Sequence, residues 1–223
     1  DVAGLESVYD EIEESGAPQP AIYPMDFTGA SGEDYEQLAM TISENFEKLD
    51  GLLHCAAILG IMSRIDDYDA ESWFKVIQTN LNAPFLLTQA LLPLLRQSQH
   101  ASVLLCADGV GRSPKAYWGA YAASKYAVRA IGQTLSLELH GSGATCTTIH
   151  PGFVSTEIAL VDNDGVFHED REDRRPTKFM WPAEKAAKVM VNAIAKRKRE
   201  FVFTGHGKFG GYLGRHFPGL VHF

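Results

Sequence analysis

Runs of consecutive apolar residues alternate along this chain with stretches in which apolar residues recur at helical spacing. The first pattern is typical of strands buried on both faces, and the second is typical of amphipathic helices. The apolar runs predict strands over residues 21–25, 51–57, 102–107, 144–149 and 201–203. The helical spacing predicts helices over residues 5–12, 31–49, 70–97, 117–139 and 182–197, with bends or breaks at Pro84 and Pro93. This alternation predicts an α/β domain with a doubly wound, mostly parallel sheet.

The chain is predicted to form one domain over residues 1–204, because 223 residues suffice for one sizeable core and nothing in them requires a second. Residues 161–178 are polar and lack periodicity, which predicts a surface loop. Residues 205–223 mix glycine with aromatic residues and give no firm secondary-structure signal. We expect this tail to join an oligomer or to be disordered; a cover over the site and a membrane contact are the alternatives.

Charge and composition argue against several classes of protein. The net charge of −8 disfavours a nucleic-acid-binding surface. No apolar run approaches the roughly 18 residues needed to span a bilayer, and no signal peptide is recognisable, so we expect a cytoplasmic protein without a membrane partner. Cys55, Cys106 and Cys146 lie in apolar stretches without metal-ligand spacing, and the histidines are scattered. We therefore expect buried thiols and no metal site.

Tyr121 and Lys125 form the first candidate for chemistry. They lie four positions apart on a predicted helix, so both side chains can reach the same pocket. A nearby ammonium favours the ionised phenol and brings its pKa of about 10 closer to a useful acid–base range. Alone, this YxxxK pair is a weak signal, because a surface tyrosine and lysine on a helix produce it by chance.

Two further motifs accompany the pair. Asn80, within Thr79-Asn80-Leu81-Asn82, precedes it, and the PGxxxT motif of residues 151–156 follows the next predicted strand. This ordered set resembles the short-chain dehydrogenase/reductase family over nearly all of residues 1–204. The resemblance implies a Rossmann-like fold and hydride transfer between NAD or NADP and a small-molecule alcohol or carbonyl substrate. It also implies a homodimer or homotetramer.

The resemblance implies a role for individual residues. Tyr121 would exchange a proton with the substrate oxygen, Lys125 would lower the tyrosine pKa and bind the nicotinamide ribose, and Asn80 would hold a relay water. Tyr121 and Lys125 also belong to the implied cofactor site, whose other members are Asp26, Phe27, Ala56, Ala57, Pro151, Gly152, Val154 and Thr156. The first two are expected at the adenine, the two alanines at the adenosine ribose, and the last four at the nicotinamide and its neighbouring phosphate.

Three departures from the family pattern matter. The glycine-rich turn that binds the pyrophosphate is absent, so we expect that the first strand–helix–strand unit is missing and that the chain is a fragment. The residue that distinguishes NAD from NADP is absent with it, which leaves the choice open. The usual Asn-Ala-Gly after a central strand reads Cys55-Ala56-Ala57. Asp108 stands thirteen residues before Tyr121, where the family has its catalytic serine.

Asp108 leaves two interpretations open. An ionised carboxylate repels a developing alkoxide and raises the pKa of Tyr121, whereas a protonated one donates a hydrogen bond. The leading hypothesis is an NAD(P)-dependent oxidoreductase, which the joint presence of Tyr121, Lys125 and Asn80 favours. The alternative, which Asp108 favours, is a catalytically impaired family member that acts as a nucleotide-binding or protein-interaction scaffold.

Overall fold

The structure, a computed structural model, describes residues 2–173, 175–217 and 219. Within them the α-helices are α1 Val2–Glu14, α2 Gly32–Asn45, α3 Ala70–Ile77, α4 Ala83–Arg96, α5 Gly119–Glu138, α6 Ala183–Ala195 and α7 Gly205–His216. The strands of its sheet are β1 Gly51–His54, β2 Ser102–Cys106, β3 Thr145–His150 and β4 Glu200–Val202. Helices therefore connect every pair of consecutive strands, as the sequence pattern predicts.

The strands form one parallel sheet in the order β1-β2-β3-β4. Parallel strands bring all their carboxyl ends to one edge of the sheet, because each connection returns across a face. At that edge His54 pairs with Leu105, and Cys106 pairs with Ile149. The predicted α/β fold with a parallel sheet is confirmed, and its carboxyl edge is where the functional residues lie.

The main core lies between the sheet and helices α4 and α5. Its buried members are Leu91, Leu95, Ala101, Val103, Leu105, Ala107, Val128, Leu135, Leu139, Ala144 and Cys146. Leu95 of α4 is fully buried, and burying one such side chain stabilises the fold by about 1.5–3 kcal/mol. This core holds α5 against β2 and β3, and α5 carries Tyr121 and Lys125.

The strand predicted over residues 21–25 is wrong. These residues form no strand, and Pro24 lacks the N–H that a ladder requires. Among the described residues, β1 pairs only with β2, which leaves β1 at the edge of the sheet. Leu53 of β1 is 55% exposed. An apolar run forms a strand only where a neighbouring strand pairs with its backbone N–H and C=O groups. The apolar run alone does not show whether such a neighbouring strand is present.

The helical stretch predicted over residues 70–97 is continuous but changes its winding once. α3 leads into the π-helical segment Gln78–Asn82, which leads into α4. Pro84 lies at the start of α4, directly after the π-helical segment, and Pro93 lies inside the helix without ending it. Asn80 lies in the π-helical segment, a distortion that is frequent at functional sites.

The C-terminal tail contains a helix where the sequence gives no clear signal. α7 begins after the buried Thr204, whose side chain accepts a hydrogen bond from the Gly207 N–H at 3.2 Å. Gly207 and two further glycines of α7 line the cavity described below. This part of the tail therefore packs against the site, while residues 218 and 220–223 lie outside the described residues.

The loop predicted over residues 161–178 is irregular for most of its described length. It contains an isolated bridge between Val161 and Phe167 and one 3-10 turn over Thr177–Phe179. Residue 174 is outside the described part of the chain. None of the described helices is both long enough and apolar enough to cross a membrane.

Candidate active site

A cavity of about 810 Å³ lies at the carboxyl edge of the sheet. The predicted site residues that line it are Asp108, Tyr121, Lys125, Ala56, Ala57, Pro151, Gly152, Val154 and Thr156. These residues follow β1, β2 and β3 or lie in the first turns of α5, which is why the parallel topology brings them together. Asn80, Asp26 and Phe27 do not line the cavity.

Tyr121 is 3% exposed and donates its hydroxyl proton to Asp108 Oδ2 at 2.8 Å. Its ring packs edge-on against Trp118, with centroids 5.7 Å apart. Burial raises the pKa of Tyr121 well above its ordinary value, and the carboxylate of Asp108 raises it further. Asp108, which is predicted to stand at the family's serine position, therefore contacts the tyrosine directly and stabilises its neutral form, opposite to the effect implied for Lys125.

Asp108 has a backbone conformation that favours glycine, with φ +56° and ψ 168°. Such a conformation costs of order 1–3 kcal/mol in a residue with a side chain and occurs most often at functional sites. The Asp108 carboxylate accepts hydrogen bonds from the backbone N–H groups of Gly109 and Val110, the second at 3.3 Å. These bonds, with that from Tyr121, use both carboxylate oxygens and hold the turn in place.

A buried polar network supports this turn from behind. The carbonyl oxygen of Asp108 accepts a hydrogen bond from His150 Nδ1 at 2.8 Å, since a carbonyl can only accept. Burial lowers the pKa of His150, which favours its neutral ring. His150 Nε2, which carries no proton in this neutral tautomer, lies 3.0 Å from a Glu200 oxygen without a hydrogen bond, and Arg112 and Arg129 bind the same oxygen at 2.5 and 2.9 Å. The ion pair between Arg112 and Glu200 ties the turn after β2 to the first residue of β4.

Lys125 lies one helical turn after Tyr121 and is 3% exposed. Its ammonium donates to the carbonyl oxygen of Cys106 at 3.0 Å and lies 5.4 Å from the centroid of the tyrosine ring. The charge of Lys125 thus faces the tyrosine ring and the end of β2. Both side chains line one cavity, as their spacing predicts. The ammonium does not bind the phenol oxygen directly, because the ammonium donates to Cys106 and the phenol to Asp108.

Asn80 is 2% exposed, and its amide is bound to the loop after β1. Its Oδ1 accepts from Ile58 N at 2.9 Å, and its Nδ2 donates to Ile58 O at 2.8 Å. The same Nδ2 donates to Ser124 Oγ at 3.2 Å, and that hydroxyl donates to the carbonyl oxygen of Tyr121 at 2.8 Å. Asn80 therefore positions the cavity wall and the start of α5 from outside the cavity.

Asp26 and Phe27 lie in the N-terminal region, away from the cavity wall. Asp26 is exposed, and its Oδ1 accepts from the N–H and hydroxyl of Thr28 at 2.9 and 2.8 Å. These bonds lower the pKa of Asp26. Phe27 stacks on the buried Tyr35, with centroids 6.4 Å apart. In the described structure both residues serve local packing, and their expected place at an adenine remains a prediction.

Two cations of the cavity wall were missed by the sequence analysis, Lys115 and Arg175. Arg175 binds Asp173 through two nitrogens, at 2.9 and 2.7 Å, and donates to the carbonyl oxygens of Val154 and Thr156 at 3.0 and 2.6 Å. It thereby clamps the PGxxxT segment. Both cations belong to segments without periodicity, so no local pattern in the sequence marks them.

The cysteines are free thiols in three different environments. Cys55 is exposed, Cys106 is partly buried and Cys146 is buried, so the expectation of burial is wrong for Cys55. Burial raises the pKa of Cys106 to about 11 and that of Cys146 to about 12. Among the described residues, no group of three or more His, Cys, Asp or Glu side chains is arranged to bind a metal ion.

Comparison with known proteins identifies the family. A model of the short chain dehydrogenase family matches residues 1–165. The chain belongs to the short-chain dehydrogenase family. This membership agrees with the order of the Asn80, Tyr121-Lys125 and residues 151–156 motifs. The assignment of Asp108 to the family's serine position stays a prediction.

Individual relatives of this short-chain dehydrogenase cover different shares of it. The uncharacterized oxidoreductase YciK of Escherichia coli (strain K12) is 39% identical over 154 residues, which are 69% of this chain and 61% of YciK. A short chain dehydrogenase from Escherichia coli CFT073, solved complexed with NADPH, is 33% identical with a TM-score of 0.76, over 91% of this chain and 82% of its own. This likeness confirms the Rossmann-like fold.

A third relative, D-beta-hydroxybutyrate dehydrogenase of Rhizobium meliloti (strain 1021), is 26% identical over 219 residues, which are 93% of this chain and 84% of that enzyme. Coverage is lower for other relatives. The chain spans 49–61% of the length of the first curated relatives that it matches, about half to three fifths of those proteins.

Proposed function

We propose that the protein to which this domain belongs transfers hydride between NAD(P) and an alcohol or carbonyl group of a small-molecule substrate. One observation carries the proposal: Tyr121, Lys125 and the side chain at the family's serine position converge on one cavity at the carboxyl edge of the sheet. A scaffold without chemistry gives no reason for this buried arrangement, which includes a strained backbone at Asp108.

NAD(P) is the cofactor that the cavity and the relatives support. A relative is solved complexed with NADPH, and the cavity volume of about 810 Å³ falls within the range of about 300–1,000 Å³ that is usual for ligand sites. The small residues Ala56, Ala57 and Gly152 leave that space open. We infer that Pro151, Gly152, Val154 and Thr156 hold the nicotinamide half of the cofactor and that Ala56 and Ala57 lie along its adenosine ribose. When bound, the nicotinamide supplies or accepts the hydride.

Tyr121 is proposed as the residue that exchanges the proton with the substrate oxygen. Its raised pKa opposes a free phenolate, and its proton already points at Asp108. In alcohol oxidation, the phenol oxygen therefore accepts the substrate proton while the phenol proton passes to Asp108. In carbonyl reduction the same two O–H bonds break and form in reverse. An ionised Asp108 thus favours oxidation, and a protonated Asp108 favours reduction.

Lys125 and Asn80 take supporting roles in this proposal. The Lys125 ammonium, 5.4 Å from the Tyr121 ring centroid, opposes the charge of Asp108 and would bind the nicotinamide ribose. Asn80 fixes the loop at Ile58 that forms one wall of the cavity. A relay water at Asn80 remains part of the proposal, and its amide bonds to Ile58 indicate a positioning role as well.

We also propose a cytoplasmic homodimer or homotetramer. The outward face of α5 supports self-association because it exposes small and apolar side chains: Ala123 and Ala130 are exposed, and Leu137 is 69% exposed. These three positions are seven residues apart and so lie on one face of the helix, where a second copy could pack against them. Light scattering coupled to gel filtration tests this, and a monomer at micromolar concentration would contradict it.

The deciding experiment is a nicotinamide-fluorescence titration with NADH and NADPH. It is made on this chain and on the chain preceded by the corresponding N-terminal segment of a relative. Because Asp26 and Phe27 lie outside the cavity, we expect weak binding by the chain alone and tight, saturable binding of one nucleotide by the extended protein. Absence of binding by both, with folding confirmed by circular dichroism, would instead support the scaffold hypothesis.

A further inference from the structure

Lys115 lies in the cavity wall between the turn after β2 and the start of α5. Its ammonium lies 4.6 Å from the ring centroid of Phe153 and 5.2 Å from that of Trp118. Both distances are within the range of about 6 Å at which a ring attracts a cation. Trp118 in turn contacts the ring of Tyr121. Lys115 is therefore held by aromatic rings beside the proposed reaction centre.

Lys115 differs from the other cations of the wall in having no counter-ion. Lys125 donates to the carbonyl oxygen of Cys106, and Arg175 binds Asp173 and two further carbonyls. Within the described chain, Lys115 makes neither an ion pair nor a hydrogen bond. Lys115 is solvent-exposed as a residue, and its partial desolvation at the cavity wall lowers the pKa of the ammonium, an effect that the field of Asp108 partly offsets.

The acids of the wall do not supply the missing partner. Both oxygens of Asp108 are bound, one by the Tyr121 hydroxyl and the other by the backbone of residues 109 and 110. Glu157 also lines the cavity, but no ion pair joins it to Lys115 within the residues that the structure describes. A positive charge that is partly desolvated and unpaired is stabilised by any anion that reaches it.

We propose that Lys115 is a substrate-binding residue and that it binds a carboxylate carried by the substrate on an otherwise apolar body. The apolar body follows from the rest of the wall, where Val161, Phe179 and Met190 are exposed to the cavity. A monoanion is favoured over a phosphate dianion because Lys125 and Arg175 already have partners, which leaves the Lys115 ammonium to bind the anion, and because the wall carboxylates Asp108 and Glu157 repel further negative charge. The inference rests on the proposed function only for the alcohol or carbonyl group of the substrate. Binding of the carboxylate by Lys115 does not depend on that function.

The test uses a matched pair of probes, 4-phenylbutyrate and its uncharged amide, 4-phenylbutyramide. Isothermal titration calorimetry on this chain at pH 7 measures both affinities without cofactor or turnover. We expect the carboxylate to bind about tenfold tighter than the amide, the factor that one charge-assisted hydrogen bond contributes. Lys115→Met is expected to remove this preference, and Lys115→Arg to retain it.

Lys185 provides the control, because its ammonium also stacks on a tryptophan, 4.2 Å from the Trp181 ring centroid, but it does not line the cavity. Lys185→Met should preserve the carboxylate preference. Equal affinity of the wild-type chain for the two probes, binding of neither, or a preference unchanged in Lys115→Met would each overturn the proposal. Since no nucleotide takes part, failure here leaves the NADH and NADPH titration, and thus the proposed function, to be judged separately.

Discussion

The N-terminal region and the region around α5 differ sharply in packing. α1 has no buried residue, and its apolar side chains Leu5 and Val8 are 41% and 54% exposed. α5 buries eight residues, among them Tyr121 and Lys125. Both helices show clear periodicity in the sequence. The difference teaches that periodicity reports which face of a helix is able to pack, whereas the neighbouring elements decide whether it does.

The residues of the proposed site are also divided between the packed region and the loosely packed region. Residues implied for the nicotinamide half lie on the packed side and meet at the cavity, while Asp26 and Phe27 lie on the loosely packed side and do not reach it. Proton exchange depends on positions fixed to fractions of an ångström. Such positions exist where α5 packs against β2 and β3.

The largest expected effect is on activity at the packed side. Tyr121→Phe removes the proposed proton donor and is expected to lower kcat by about 10²- to 10⁴-fold, the usual contribution of a general acid or base. Tyr117→Phe is the matched control, because Tyr117 is 59% exposed and does not line the cavity. Steady-state kinetics of the extended protein measure both. Similar losses in the two variants would show that the effect is not specific to the proposed donor.

The second-largest expected effect is a difference between the two regions in how much a Leu→Ala substitution lowers the free energy of unfolding. Leu95→Ala leaves a cavity in the core beneath α4, so we expect the free energy of unfolding to fall by about 2–5 kcal/mol. Leu95 is fully buried. Leu5→Ala makes the same change on exposed α1 and should alter stability by at most about 0.5 kcal/mol. Urea unfolding followed by circular dichroism measures both, and comparable losses would mean that α1 is packed in solution.

The sequence predicted the elements of the packed region better than those of the N-terminal region. The parallel sheet, α5 and the YxxxK pair were predictable because they depend on local periodicity and spacing. The strand over residues 21–25 was not, because a strand requires a partner that an apolar run does not identify. Lys115 and Arg175 were not found either, since long-range folding, with no local pattern, brings them to the cavity. The Asp108 position was found by counting from Tyr121, but its bond to the phenol required the structure.

The replacement at the serine position is expected to change the rate in a defined direction. Asp108→Ser removes the carboxylate that raises the Tyr121 pKa and restores a hydroxyl donor to the substrate oxygen. Carbonyl reduction should accelerate, by up to about 100-fold if the new donor reaches a developing alkoxide. Asp108→Asn removes the charge while keeping the shape, and so separates the two contributions. No gain in a serine variant that binds cofactor would contradict the idea that the carboxylate impairs reduction.

The smallest expected effect is a change in stability with pH at His54, the last residue of β1. Its Nε2 lies 2.8 Å from Thr88 Oγ, and that hydroxyl donates to Pro84 O at 2.6 Å, so the ring nitrogen must donate. The neutral ring suffices for this bond, and burial lowers the pKa of His54 from 6.5 to about 4. Between these values the unfolded state binds more protons than the folded state, so stability must fall as pH falls through that window.

His54→Gln keeps a donor without a titrating group, so it should flatten the dependence of stability on pH between about 6.5 and 4. Urea unfolding at pH 7 and at pH 4.5 measures the difference between wild type and variant, which cancels the contribution of the acidic residues. His100→Gln, at an exposed position before β2, should leave the wild-type slope unchanged. If His54→Gln retains that slope, then water reaches the ring in solution and β1 belongs with the loosely packed N-terminal region.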